Sequence, residues 1–245
     1  MTWLALLLIG VAVTDLAHSV LQRNVFPQVV GTASVVAVAL GAGLTDLRDL
    51  APVAVVVVAV LAWGFTVSHG FAAGGRPWLP LAVLGLSFVV AVAAAPVAPA
   101  IPADALLARW LHAVPWSAAG AAPDGVLLLA ALAMVQLSTG NVIVRLVLAA
   151  TGTVLPALHG TAGDPETRLK GGRLLGPMER LVIFGLGLAG ELTAAGIVIA
   201  AKGLLRFPEL QLKTEQERIH QLTEYFLVGS FVSWLVPLTS LVLLS

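Results

Sequence analysis

The segment from residue 178 to residue 206 carries ionisable side chains inside an otherwise apolar run. Glu191 lies near its middle, and Lys202 and Arg206 follow it. At about 100° per residue, a helix over 191–206 places Lys202 about 20° and Arg206 about 60° from Glu191 around the axis, so the three share one stripe. Along the axis Glu191 and Lys202 are about 16 Å apart, too far for direct contact. Each therefore needs a partner on another helix, a water-filled cavity or the membrane interface.

Two other segments offer such partners. Asn141 and Arg145 are four residues apart and share a helix face, and Glu224 lies one turn inside the last apolar segment. If Arg145 lies at membrane depth, we expect it to pair with Glu191 or Glu224. The alternative is that the preceding apolar segment ends near Gly140, which leaves Arg145 at the interface.

A charged side chain at the centre of a bilayer costs ~2.5–3.5 kcal/mol on insertion scales, so such residues usually face the interior of a helix bundle and mark functional sites. The C-terminal third is therefore predicted to contain a polar, cytoplasm-facing pocket. Its basic groups would hold an anion, and its carboxylates would tune the charge or carry protons. The candidate ligand-binding residues are Glu179, Arg180, Glu191, Lys202, Arg206, Glu224, Tyr225, Asn141 and Arg145.

Three functions fit such a pocket. The first is binding or transport of a small anionic or amphipathic molecule, such as one with a lipid headgroup. The second is a structural or assembly subunit, in which internal ion pairs fix the register of the helices. The third is a membrane enzyme with Glu191 or Glu224 as general base and arginines that stabilise developing negative charge. The sequence contains no serine-triad motif, phosphate-binding loop or dinucleotide fingerprint, so whether the chain is an enzyme stays undecided.

Composition places the chain in a membrane. Of its 245 residues 59% are hydrophobic and 11% are charged, whereas a soluble domain carries about 25% charged residues. This excludes an ordinary soluble enzyme and a disordered protein. The 13 basic and 13 acidic residues give no net charge, so no basic surface for nucleic acid is expected. The lack of cysteine excludes disulfides and thiolate metal sites.

A polar face in the first segment is the one hint of a metal or a proton relay. Asp15, His18 and Gln22 follow one another at helical spacing. The same pattern is common at a helix end that faces water. Because no HExxH motif or second histidine cluster accompanies it, no metal and no cofactor is predicted.

The predicted fold is an all-α polytopic bundle of six or seven membrane segments, because a membrane span takes about 20 apolar residues. Residues 102–117 carry Trp110 and Trp116 beside Arg109, which fits an interfacial helix or a simple loop. The predicted segments are 2–22, 27–45, 51–72, 79–98, 124–152, 178–206 and 220–243.

The path of segment 178–206 has two alternatives. Basic loops on both sides conflict with a single span, since cytoplasmic loops collect Lys and Arg. Two half-helices that meet near Ala189–Glu191 would form a re-entrant hairpin and keep both loops in the cytoplasm. The alternative is one ordinary kinked or closely packed span, since glycines at this spacing let helices approach and need no break. By polarity, the chain divides into apolar helices over 1–123 and a polar membrane module over 124–245.

The C-terminal third resembles an uncharacterised family of bacterial integral membrane proteins. The similarity rests on the runs GGRLLGPMERLVIFGLGLAGELTAAGIVIAAKGLLRFPEL and LTEYFLVGSFVSWL and covers about residues 138–240. The family pattern reads ER…AAK…RF…EY. It implies a multi-pass protein of the bacterial inner membrane in which these residues act as one unit, and it names no substrate. Independently of the resemblance, the bilayer is the expected surroundings, and the charged pocket allows an anionic lipid, a small molecule, a partner protein or a second copy as partner. The matching positions are Gly140, Asn141, Arg145, Gly176, Glu179, Arg180, Gly196, Ala200, Ala201, Lys202, Arg206, Phe207, Glu224, Tyr225, Gly229 and Ser233.

Overall fold

The computed structural model describes residues 1–20, 25–72, 74–113, 122–153, 172–211 and 216–245, with the backbone alone at 112, 172–173, 202–203, 205–211 and 216–223. All regular structure in these ranges is helical, which confirms the all-α class. One 3₁₀ turn, Ala95–Val97, accompanies the α-helices. In chain order these are α1 Thr2–Val20, α2 Phe26–Gly41, α3 Leu47–Gly70, α4 Trp78–Ala93, α5 Leu106–Ala113, α6 Pro123–Leu137, α7 Thr139–Ala150, α8 Gly172–Leu188, α9 Leu192–Gln211 and α10 Gln216–Val242.

The chain forms two compact units. The N-terminal unit contains Met1–His69 and Leu79–Thr139, and the C-terminal unit contains Gly70–Trp78 and Gly140–Ser245. This division follows the packing of the helices, whereas the sequence division between residues 123 and 124 followed their polarity.

Three of the described helical segments are long and apolar enough to cross a membrane: α1, α3 and the Glu224–Val242 part of α10. The pair α6 and α7 adds a fourth if it is one bent span. Helices α2 and α4 have 16 residues each and reach about 24 Å, short of a hydrocarbon core of about 30 Å. The structure thus gives three or four candidate spans among the described residues, and it does not confirm the expected six or seven.

Helix α1 lies at the centre of the N-terminal unit. Leu4, Ala5, Leu6 and Leu7 follow one another around the helix and are all buried, and 67% of its most apolar stretch is buried. The corresponding shares are 28% for α3 and 17% for Glu224–Val242, so these two helices leave most of their apolar surface outward. A helix that is hydrophobic all round belongs inside a bundle. The sequence of α1 meets this condition from Trp3 to Ala12.

Glycines let α2 and α3 pack closely against α1. A Cβ added to Gly31 on α2 would overlap the Thr14 hydroxyl and lie 2.8 Å from the Gly10 carbonyl oxygen. A Cβ added to Gly64 on α3 would lie 2.6 Å from Gln28 Cγ on α2 and 3.3 Å from Thr14 Cγ2 on α1. Small residues at such positions allow helix backbones to approach closely inside a membrane, where no hydrophobic effect drives helices together.

Segment 178–206 is broken where the sequence placed the tip of a hairpin. Helix α8 ends at Leu188 and α9 begins at Leu192. Gly190 has φ +80°, and the amides of Gly190 and Glu191 donate to the carbonyls of Gly187 and Leu186, at 3.0 and 2.8 Å. This is a Schellman motif, whose left-handed residue is usually glycine. The segment is therefore not one continuous helix, and its re-entrant path across the membrane stays a prediction.

The tryptophan-flanked segment 102–117 is helical in its described part. Helix α5, Leu106–Ala113, carries Arg109 and Trp110 on its exposed surface. Trp116 lies outside the described residues.

The close packing of α1 and α2 makes a prediction about Gly31. Gly31→Ala is expected to destabilise the protein by about 1–3 kcal/mol, because the added methyl group collides with Thr14 and the α1 backbone. Gly41→Ala at the end of the same helix meets open space and is expected to be neutral or stabilising by up to about 1 kcal/mol. Thermal unfolding in detergent measures both variants. Equal stability of the two would contradict the close helix contact.

Candidate functional site

The Arg180 guanidinium lies inside the C-terminal unit and joins three helices. Arg180, on α8, is 1% exposed. Its Nη1 donates a hydrogen bond of 3.0 Å to Ser233 Oγ on α10, and its Nη2 donates one of 2.6 Å to Asn141 Oδ1 on α7. Both acceptors are neutral. Hydrogen bonds to a charged group are worth more than those between neutral groups, so this contact holds the three helices together at one point.

Two glycines make room for the guanidinium. A Cβ on Gly140 would lie 2.6 Å from Arg180 Nε and 2.8 Å from Cζ, so the planar group lies against the backbone of α7. Gly176, one turn before Arg180 on α8, would place a Cβ 3.3 Å from Asn141 Oδ1. Any side chain at Gly140 would therefore move the guanidinium from its two acceptors.

Helix α7 positions a second arginine. The i, i+4 spacing of Asn141 and Arg145 within this helix was predicted from the sequence and is confirmed. The Arg145 guanidinium lies over the ring of Phe71, with Cζ 4.9 Å from the ring centroid. A cation over an aromatic face is attracted by the ring quadrupole, by ~0.5–2 kcal/mol depending on exposure. The expected carboxylate partners, Glu191 and Glu224, are both exposed.

The remaining predicted site residues do not all gather around Arg180. Glu179 is half-buried and acts electrostatically on the neighbouring guanidinium. Tyr225 is half-buried and packs edge-on against Phe226, with the ring centroids 5.5 Å apart. The side chains of Lys202 and Arg206 lie outside the described part of the structure. Of the residues predicted, the structure thus brings Arg180 and Asn141 into direct contact.

The sequence did not identify Ser233 as a site residue. Ser233 matches the family pattern, but it is not among the candidate ligand-binding residues. Ser233 is 5% exposed and accepts a hydrogen bond from Arg180. The packing of α10 against α8 brings Ser233 to Arg180. This packing is a property of the tertiary structure, so the sequence of α10 alone does not distinguish Ser233 from Ser230.

A second polar cluster lies inside the N-terminal unit, around Asp15. Asp15 is 5% exposed, and its Oδ1 accepts a hydrogen bond of 3.0 Å from Trp63 Nε1 on α3. One turn further along α1, His18 Nε2 lies 3.2 Å from Ser68 Oγ. The shared face of Asp15 and His18 was visible in the sequence, whereas the contact with Trp63, 48 residues away, was not.

The Arg180 contacts predict different roles for the two serines of α10. Ser233→Ala is expected to destabilise the protein by about 1.5–3 kcal/mol, because it removes a hydrogen bond to a buried charged group. Ser230→Ala, on the same helix, is expected to change stability by less than about 0.5 kcal/mol. The measurement is thermal unfolding of the two purified variants in the same detergent. A Ser230 effect as large as that of Ser233 would contradict the site geometry.

The chain was compared with family models, curated proteins and solved structures, and none of them matches it. The resemblance to the uncharacterised family of bacterial membrane proteins therefore stays a prediction, and the geometry around Arg180 is the basis for a proposed function.

Proposed function

We propose that this chain is a bacterial inner-membrane protein whose C-terminal unit binds or transports a small anionic or amphipathic molecule. Arg180 is the anchoring cation. The observation that carries the proposal is that its guanidinium is buried and oriented by two neutral acceptors, Asn141 and Ser233.

The electrostatics of this arrangement favour an anion. Hydrogen bonds to an amide and a hydroxyl orient a guanidinium without transferring charge, and Glu179 is the neighbouring carboxylate that acts on it. In an interior of low dielectric constant the positive charge of Arg180 acts much more strongly than it would in water. A guanidinium also presents its donors in a planar fork that fits carboxylate and phosphate groups. An anionic headgroup or carboxylate is therefore the ligand class that we expect.

Transport is supported by the broken helices of the C-terminal unit. Discontinuous helices line the substrate sites of many transporters, because interrupted backbone is tolerated in a membrane where it faces a cavity. The break between α8 and α9 at Gly190 interrupts the helical backbone in the same way, and the residues around it are exposed. Arg145 over Phe71 adds a second oriented cation to the same unit.

A structural or assembly subunit is the second candidate, and one observation favours it. Arg180 connects α7, α8 and α10 through its two hydrogen bonds, which fixes the register of these helices. Buried polar groups have this role in some proteins. The two functions predict different results for a variant that neutralises the charge of Arg180 and keeps its hydrogen bonds. Anion binding is then lost, whereas a purely structural role is kept.

Asn141→Asp makes that separation. The new carboxylate accepts the same hydrogen bond from Arg180 and adds an internal negative charge, so the fold is expected to be kept or stabilised while an external anion is displaced. Arg180→Met removes the cation and keeps the length of the side chain. Both variants are expected to retain at least about tenfold less anionic lipid or metabolite than the wild type, a loss of about 1.4 kcal/mol or more in binding.

Mass spectrometry of the molecules that co-purify with each variant in mild detergent measures this retention. Arg109→Gln, which changes an exposed arginine of the N-terminal unit, is the matched control and should keep the wild-type profile. Circular dichroism and gel filtration establish that the variants fold. A folded Asn141→Asp protein with an unchanged profile would refute the anion site and favour the structural subunit.

A further inference from the structure

The polar cluster of the N-terminal unit contains two buried oxygens without a hydrogen bond to any described residue. Asp15 Oδ1 accepts the Trp63 hydrogen bond, but Oδ2 has no hydrogen-bond partner among the described residues. The Thr139 hydroxyl, at the start of α7, faces the same carboxyl without hydrogen-bond geometry and also has no partner in the described part of the chain. Asp15 is 5% and Thr139 1% exposed, so bulk water does not satisfy them.

The hydrogen bonding of the Thr139 hydroxyl differs from that of other hydroxyl groups in this unit. Thr14, Thr66 and Ser68 donate to carbonyl oxygens one turn back in their own helices. This is the usual solution for a hydroxyl inside a helix, since a carbonyl three or four residues back is always near. Thr139 is the first residue of α7, directly after the interruption at Ser138, and its hydroxyl is directed at Asp15 instead.

A carboxylate in this environment needs a positive charge. Burying an ionised carboxyl group with one hydrogen bond is costly, so such groups in membranes are paired or neutralised. Among the described residues, no three His, Cys, Asp or Glu side chains cluster, as a divalent metal site would need. One carboxylate balances one positive charge. Carboxylate, hydroxyl and the carbonyl oxygens near a helix break are the ligands that transporters offer to Na⁺ or to a proton.

We propose that Asp15 Oδ2 and Thr139 Oγ1 form a binding site for one small monovalent cation, H⁺ or Na⁺, at the interruption between α6 and α7. With a proton, Oδ2 becomes a donor to the Thr139 hydroxyl. With Na⁺, both oxygens become ligands. In either case the cation neutralises Asp15 and fixes Thr139, so it ties the central helix α1 to the start of α7.

In the described part of the chain, the side chains known to contact Asp15 are uncharged: Trp63 on α3 and Thr139 on α7. His18, one turn along α1, is titratable, and its Nε2 contacts Ser68 on α3. A test that varies pH must therefore separate Asp15 from His18.

The indole of Trp63 reports on the site because it donates to Asp15 Oδ1. The full-length protein in detergent is titrated with NaCl against choline chloride at constant ionic strength, at pH 5 and at pH 8. The readouts are the apparent Tm and the part of the tryptophan emission that is lost in Trp63→Phe. Once the cation exceeds its Kd, each tenfold increase is expected to raise the apparent Tm by about 3–6 °C.

Two variants sharpen the result. Asp15→Asn mimics the neutralised carboxyl group, and we expect it to fold and to show neither the cation-dependent Tm shift nor the emission change. Thr139→Val keeps the shape of the residue without its hydroxyl, and it should raise the Kd for the cation about tenfold. His18→Gln is the control that should keep the wild-type response.

The two cations give different outcomes. A Na⁺-dependent shift at pH 8 that choline does not produce identifies a sodium site, and a shift with pH that is independent of Na⁺ identifies a proton site. Either supports the proposal when it is absent in Asp15→Asn. A wild-type protein that responds to neither cation, a response that persists in Asp15→Asn, or an unchanged Kd in Thr139→Val would overturn it.

Discussion

The hydrogen bonds of Arg180 with Asn141 and Ser233 are the contacts around which the C-terminal unit is organised. A guanidinium removed from water must regain hydrogen bonds, because an unsatisfied charge in an apolar interior costs several kcal/mol. This requirement sets the register of α7, α8 and α10 at the point of contact. It also explains Gly140 and Gly176, since a side chain at either position would crowd the space that the guanidinium and Asn141 occupy.

The N-terminal unit is held together by a different means. Helix α1 is apolar all round and is enclosed by its neighbours, with Gly10, Gly31 and Gly64 at the close contacts. Hydrophobic residues alone give little preference for one helix contact over another in a membrane, because lipid tails are as apolar as leucine. Close backbone approach and the bond between Trp63 and Asp15 provide this specificity.

The two polar clusters are chemically opposite. One has a cation held by neutral acceptors in the C-terminal unit, and the other has a carboxyl group with an unsatisfied oxygen in the N-terminal unit. The ligands proposed for them are accordingly of opposite sign, an anion for Arg180 and a monovalent cation for Asp15. Charge and hydrogen-bond geometry are sufficient to recognise a small ion or an anionic headgroup.

The helical class and the approximate helix positions could be predicted from the residues alone, because they depend on local properties such as apolar length and helical period. The break near Gly190 was one of two alternatives that the glycines allowed. The same period placed Asn141 and Arg145 on one face and Asp15 beside His18. Helix packing, in contrast, established that Arg180 meets Asn141 and Ser233, that Arg145 lies over Phe71, and that Glu191 and Glu224 are exposed. These contacts join residues far apart in the chain, and they depend on how the helices rotate and slide against one another. A helical period fixes which residues share a face, but it does not fix which face of another helix they meet.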